Sequence, residues 1–209
     1  MSKNAAYHHG DLRHALLKAG LELLTERGVD GVTLREVARR AGVSHAAPYH
    51  HFPAKARLIE ALAIEAFHAF TRALQGAWDT TAGPSISRLR AIGVAYVRFA
   101  LEHPAEFRLM NRPELRQRKQ EADQDVTSIA AAAHAPYSVL LSGILVCQEE
   151  GLMPPGNPEP FALAAWSLVH GLAVLAMDGL LDNDPLSIHE GEKLAQAVTG
   201  VLGQGLMVR

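Results

Sequence analysis

The sequence predicts an all-α fold, with a small three-helix unit at the front and a longer helical body behind it. Three observations carry that prediction. Apolar residues recur at spacings of three and four along most of the chain, and no run alternates apolar with polar residues as a half-buried strand does. The composition is 48% hydrophobic and 20% charged with 6% aromatic residues, and a chain of this length buries roughly 70% of its unfolded surface, enough for a substantial core. Glycine and proline mark the breaks, at Gly83-Pro84, Pro154-Pro155-Gly156 and Asn183-Asp184-Pro185.

Asp11 to Arg27 sets Leu12, Ala15, Leu16, Ala19 and Leu23 on one helix face and stops at Gly28. Thr33-Leu-Arg-Glu36 has the Thr-x-x-Glu spacing in which each side chain satisfies an amide at a helix start, so a short helix is expected from Leu34 to Ala41. Gly42 ends it and permits a sharp turn. Ser44 is then expected to cap a third short helix, with Val43 buried between the two. Pro48 falls inside that helix. Counted from a cap at Ser44, it is the residue whose N–H would make the first intrahelical bond, so the loss is confined to the first turn.

From Lys55 to about Trp78 the set Leu58, Ile59, Leu62, Phe67, Phe70 and Leu74 continues as a long helix, broken at Thr80 to Ser85. Further helices are expected from Ser87 to Glu102, Pro104 to about Asn111, about Asp123 to Glu150, Pro158 to Leu181, and His189 to about Met207. The division into units is placed at residue 56, giving 1–56 and 57–209.

The net charge of −2 conceals an asymmetry. Residues 1–60 carry 9 Lys/Arg against 6 Asp/Glu, and the rest carries 11 against 16, so a mildly basic front sits on an acidic body. Six of the 11 histidines also fall in the front. That distribution suits an anionic partner for the front alone. The single Cys147 cannot form an internal disulfide, and an intracellular, cytoplasmic compartment is expected. Pro160 to Met177 contains no Asp, Glu, Lys or Arg, which reaches the length of a membrane span; Ser167, His170 and the small residues read better as a buried interface helix.

A tight glycine turn before a capped short helix is the arrangement that projects a helix into the major groove of DNA. The stretch Tyr7 to Phe52 with Lys55 resembles the tetracycline-repressor (TetR) family of transcriptional regulators, on Gly31-Val-Thr-Leu-Arg-Glu-Val-Ala, Ala41-Gly-Val-Ser44 and Tyr49-His-His-Phe52. Pro48 departs from the apolar residue, such as Leu, that is commoner there. The resemblance implies DNA contacts from Thr33, Ser44, His45, Ala46, Ala47, Tyr49 and His50, with Lys55 on a phosphate. Arg35 is added as a groove-facing candidate on its own position. Tyr49 and His50 offer donors to phosphates, which position without specifying sequence, while the two alanines offer only methyl contacts.

In the body, Trp166-Ser-Leu-Val-His170-Gly171 resembles the Trp-x3-His-Gly signature of one C-terminal domain type of the same family, and His103-Pro-x-x-Phe107-Arg-Leu-Met110 its preceding helix pair. The resemblance implies a small-molecule pocket and a homodimer through the last two helices. Tyr96, Phe99, Phe107, Met110, Tyr137, Leu141, Trp166 and His170 are the candidate ligand-binding residues, with core packing as the competing role of each. Gly171, Ala164, Ala165, Gly200, Gly203 and Gly205 would let helices approach closely. A repressor released from a pseudopalindromic operator by a small molecule is the implied function. The alternative is a DNA-binding regulator whose body holds a protein partner. No G-x-S-x-G, P-loop, H-E-x-x-H or G-x-G-x-x-G stretch occurs, so neither an enzyme, a cofactor nor a metal site is expected.

Overall fold

The computed structural model describes residues 9–117 and 124–206, all of whose regular structure is helical. Tyr7, Asp123 and Met207, which the sequence reading touched, lie outside the described residues. The helices are α1 (His9–Gly31), α2 (Leu34–Arg40), α3 (Lys55–Thr80), α4 (Ser85–Glu102), α5 (Pro104–Met110), α6 (Pro113–Gln117), α7 (Gln124–Glu149), α8 (Glu159–Met177) and α9 (Ile188–Leu206), with a single 3-10 turn at Ala47–His50.

The front unit folds around Leu16, Leu23, Leu24, Val32, Val37, Leu58 and Leu62, all at most 1% exposed. Gly28 adopts φ 67° and ψ −176°, so the regular turn of α1 breaks at the residue where the apolar period ends. The Thr33 hydroxyl accepts the Glu36 amide at 3.2 Å and caps α2. The second half of the expected box is replaced: the Glu36 carboxylate pairs with Arg39 at 2.8 Å and lies 3.6 Å from Arg27. Arg40 ties α2 back to α1 through Glu26 at 2.6 Å. Gly42, at φ 70°, makes the turn that an L-residue with a Cβ would strain.

The third helix differs from the expectation. Ser44 does not cap it with its side chain; its carbonyl accepts the Ala47 amide at 3.0 Å instead, and the cap position is Ala46. The reason is Pro48. With no N–H at the fourth residue, the Ser44 carbonyl takes the amide three residues on, and the segment tightens into a 3-10 turn. Pro48 and Phe52 are buried beneath it, and the Phe52 amide closes onto the Pro48 carbonyl at 2.8 Å.

Helix α3 is the spine of the molecule. Its first half, through Leu58, Ile59, Leu62 and Ala63, belongs to the front core. Its second half, through Ala66, Phe70 and Leu74, belongs to a body core shared with α4, α5, α8 and α9. A smaller cluster around Ile144, Cys147, Met153 and Ala162 closes the far end. Helix α6, one turn long, was not foreseen: five residues are too few to show a helical period. Ile129–Glu149 and Glu159–Met177 are both long and apolar enough to cross a membrane, and both pack here as walls of the body.

Candidate nucleic-acid interface and ligand cavity

Seven of the residues expected to meet DNA lie exposed on the surface of the front unit: Thr33, Arg35, Ser44, His45, Ala46, Tyr49 and His50. Ala47 and Lys55 are half-buried. The α1 and α2 carboxylates neutralise Arg39 and Arg40 but leave Arg35 with no carboxylate at ion-pair distance among the described residues. Arg35 is therefore the α2 guanidinium available to an incoming anion or base edge. The Lys55 ammonium donates to the Asp30 carbonyl at 3.2 Å, which holds the start of α3 against the end of α1 and keeps the charge near the surface. Tyr49 is 56% exposed, the large side chain that the 3-10 turn projects outward. Arg13 covers the inner face of the same turn, its guanidinium 5.7 Å from the Phe52 ring.

The body holds a partly open cavity of about 280 Å³. Tyr96, Phe107, Met110, Tyr137 and Trp166 are on its wall, as the sequence reading placed them. Phe99, Leu141 and His170 are not among its lining residues. Phe99 turns instead to Phe70 and His103, with ring centroids 4.9 and 4.7 Å away. Leu141 packs against the Ile144–Cys147 cluster. His170 stands behind Tyr96, with its Nδ1 2.8 Å from the Tyr96 hydroxyl.

The Tyr96 oxygen has a second neighbour, the Trp166 indole nitrogen at 3.2 Å. An indole N–H can only donate, so the phenol accepts from Trp166, while the direction of its bond with His170 Nδ1 follows the imidazole tautomer. Burial pushes the Tyr96 phenol up to about 12, against the opposing effect of the Trp166 bond. Phe70 packs edge-on to the same ring at 4.9 Å. The Tyr137 hydroxyl is bonded to the Glu159 carboxylate, which raises its pKa in turn.

Much of the wall went unforeseen: Phe67, Phe70 and Leu74 on α3, Ile86 and Leu89 on α4, Leu140 and Ile144 on α7, and Met153 and Phe161 beyond. Helical periodicity signals that such residues face inward. It carries no signal for whether they meet other side chains or a void. Leu115 and Ile129 line the cavity and also belong to the front core.

A second feature is the outer face of α8 and α9. Leu163, Trp166, Leu175, Leu194 and Val201 are exposed there, Val201 at 72% and Leu163 at 58%. A Cβ added at Gly171 would meet nothing within 4 Å, so that face is open to a neighbour. Gly200 and Gly203, expected to ease helix approach, lie beside Arg90 of α4, and Ala165 is on the cavity wall.

The family model for bacterial regulatory proteins of the tetR family matches residues 16–62, and that for the tetracyclin repressor-like C-terminal domain matches residues 89–199. A Rhodococcus sp. RHA1 protein of unknown function superposes over 98% of this chain and 100% of its own, at 34% identity and a TM-score of 0.82. The TetR-family regulator PfmR of Thermus thermophilus shares the fold at 19% identity, over 94% of this chain and 98% of its own, with a TM-score of 0.68. The class D tetracycline repressor of Escherichia coli is 42% identical over 53 residues, 25% of this chain and 24% of the repressor. The chain thus spans about a quarter of the length of that curated relative. Matched at the helix-turn-helix and across more than half of the chain behind it, the protein belongs to the TetR family of transcriptional regulators, with an N-terminal DNA-binding unit and a helical C-terminal domain.

Proposed function

We propose that the protein is a ligand-responsive repressor that binds a pseudopalindromic operator as a homodimer and leaves it when a small molecule fills the cavity. Residues 1–56 read DNA and residues 57–209 sense and dimerise in this reading, which places the protein in the cytoplasm with its operator. The carrying observation is the shared wall. Leu115 and Ile129 belong both to the cavity and to the front core, and α5 faces both, with Phe107 and Met110 on the cavity and Leu109 in the front core.

Two recognition elements must stand about 34 Å apart to meet one face of a duplex. A ligand that prefers a different placement of α5 and α6 weakens operator binding by its differential affinity for the two placements, and by no more. The apolar α8 and α9 face supplies a surface for the second copy, because an exposed stripe of that kind is otherwise a liability. Thr33, Arg35, Ser44, His45, Ala46, Ala47, Tyr49, His50 and Lys55 are the proposed DNA contacts, with base reading falling chiefly to Arg35 and His45. The largely apolar cavity between the body helices favours a metabolite over a protein partner for the body.

The test is binding to a duplex from upstream of the protein's own gene against a scrambled duplex at two salt concentrations. Tighter, salt-dependent binding to the upstream duplex is expected, with release by compounds that raise the melting temperature. If no cavity-binding compound changes operator affinity, the sensor reading is wrong.

A further inference from the structure

We infer that the cavity takes a carboxylate amphiphile, with its apolar body among the aromatic and aliphatic wall residues and its carboxylate on the Arg90 guanidinium at the rim. The inference rests on the sensor reading and names the chemistry of its ligand. Arg90 is the single charged side chain among the described residues that line the cavity; no Asp or Glu is among them to neutralise it. Its one hydrogen bond among the described residues is to the Gln196 carbonyl at 3.3 Å, and no carboxylate of theirs lies within ion-pair distance.

The other arginines of the same helix are occupied. Arg88 lies 4.2 Å from the Trp78 ring centre and donates to the Trp78 carbonyl, and Arg98 is paired with Glu192. The neutral polar groups of the wall are engaged as well. Thr199 donates to the Ala195 carbonyl at 2.6 Å, Asn111 to the Phe107 carbonyl at 2.9 Å, and Tyr96 is held between Trp166 and His170. Among the described residues, the cavity therefore offers a ligand chiefly apolar surface and one guanidinium with no carboxylate at ion-pair distance.

The Arg90 side chain is seated by two glycines of α9. A Cβ at Gly200 would come within 3.0 Å of its terminal nitrogen, and one at Gly203 within 3.9 Å of its Cδ. The guanidinium lies over α9 where the cavity meets an open groove between α4 and α9. An anion there keeps partial solvation while its tail is withdrawn from water, which is the arrangement an amphiphile favours. A planar carboxylate matches the guanidinium fork, whereas an alcohol offers a single neutral acceptor and a quaternary ammonium is repelled.

The experiment titrates full-length protein with decanoate, decanol and decyltrimethylammonium, followed by tryptophan fluorescence, on the wild type, Arg90→Gln and Arg90→Lys. Melting curves on each variant establish that it is folded, as expected for an exposed side chain. Decanoate should bind wild type about tenfold tighter than decanol, and the ammonium should not displace it. Arg90→Gln should lose about tenfold for decanoate with decanol unchanged, and Arg90→Lys should recover part of the loss. The inference is overturned by equal affinity for decanoate and decanol, by decanoate binding that ignores Arg90→Gln, or by absence of binding of all three probes. Operator release separates the two readings. If decanol releases DNA as well as decanoate, the sensor stands without Arg90; if decanoate binds through Arg90 and DNA stays bound, the ligand assignment stands without the sensor.

Discussion

Tyr96→Phe removes one oxygen and leaves the ring cluster of Phe70, Phe99 and Phe107 in place. The loss takes the acceptor from the Trp166 N–H and the Tyr96 hydroxyl from His170 Nδ1. Losing two hydrogen bonds of part-buried groups, at about 0.5–1.5 kcal/mol each, costs about 1–3 kcal/mol. For a chain of this size each kcal/mol lowers the melting temperature by about 2–4 °C, so a fall of roughly 2–12 °C is expected. Alkaline pH supplies an independent reading. The phenol titrates at about 12 in the folded protein against an ordinary 10.0, so between those values the native state holds a proton that the unfolded chain has lost. Stability from this group is complete below the lower value and drains away as pH rises through the upper one, at up to about 1.4 kcal/mol per pH unit. Circular dichroism melts of wild type and Tyr96→Phe across that window should show the steeper decline in the wild type. Parallel pH curves with a melting-temperature change below about 1 °C would refute the hydrogen-bonded triad.

Three further substitutions test other parts of the structure. Gly42→Ala places a Cβ at φ 70° with no atom within 4 Å, so the cost is backbone strain alone, about 1–2 kcal/mol by urea denaturation. Leu109→Ala opens a void at a fully buried position in the front core and should cost about 2–5 kcal/mol; a loss under about 1 kcal/mol would show that α5 does not brace the DNA-binding unit. Val201→Glu places a charge on the exposed face of α9 and should convert a dimer to a folded monomer in light scattering. An unchanged mass would move the interface to another surface.

The long helices were legible because their apolar residues keep a helical period, and their ends fell within a few residues of the expected ones. Thr33 was readable as a cap for the same local reason: a hydroxyl three residues ahead of Glu36 needs no distant partner. The 3-10 turn was harder. Pro48 was visible, but a missing N–H has two outcomes, a bare Ser44 carbonyl or one satisfied by Ala47, and the choice depends on Phe52 and Pro48 packing beneath the turn. Five of the eight residues expected in the cavity line it, while His170 supports Tyr96 from behind. Arg90 gave no signal in one dimension. Only the fold brings Gly200 and Gly203 beside it and leaves its charge without a carboxylate partner among the described residues.

The double membership of Leu115 and Ile129 also bears on how this chain can change over generations. A substitution at either reshapes the binding space and disturbs the buried support of the DNA-reading unit in one step, so most are removed whatever they do for ligand choice. At the opposite end, Ile144, Met153 and Phe161 belong to a separate cluster away from the front core. Altered cavity shape can accumulate there with less penalty to the DNA-reading unit. Descendants of this protein that answer to different molecules should therefore diverge at the far end first and keep the near end almost fixed.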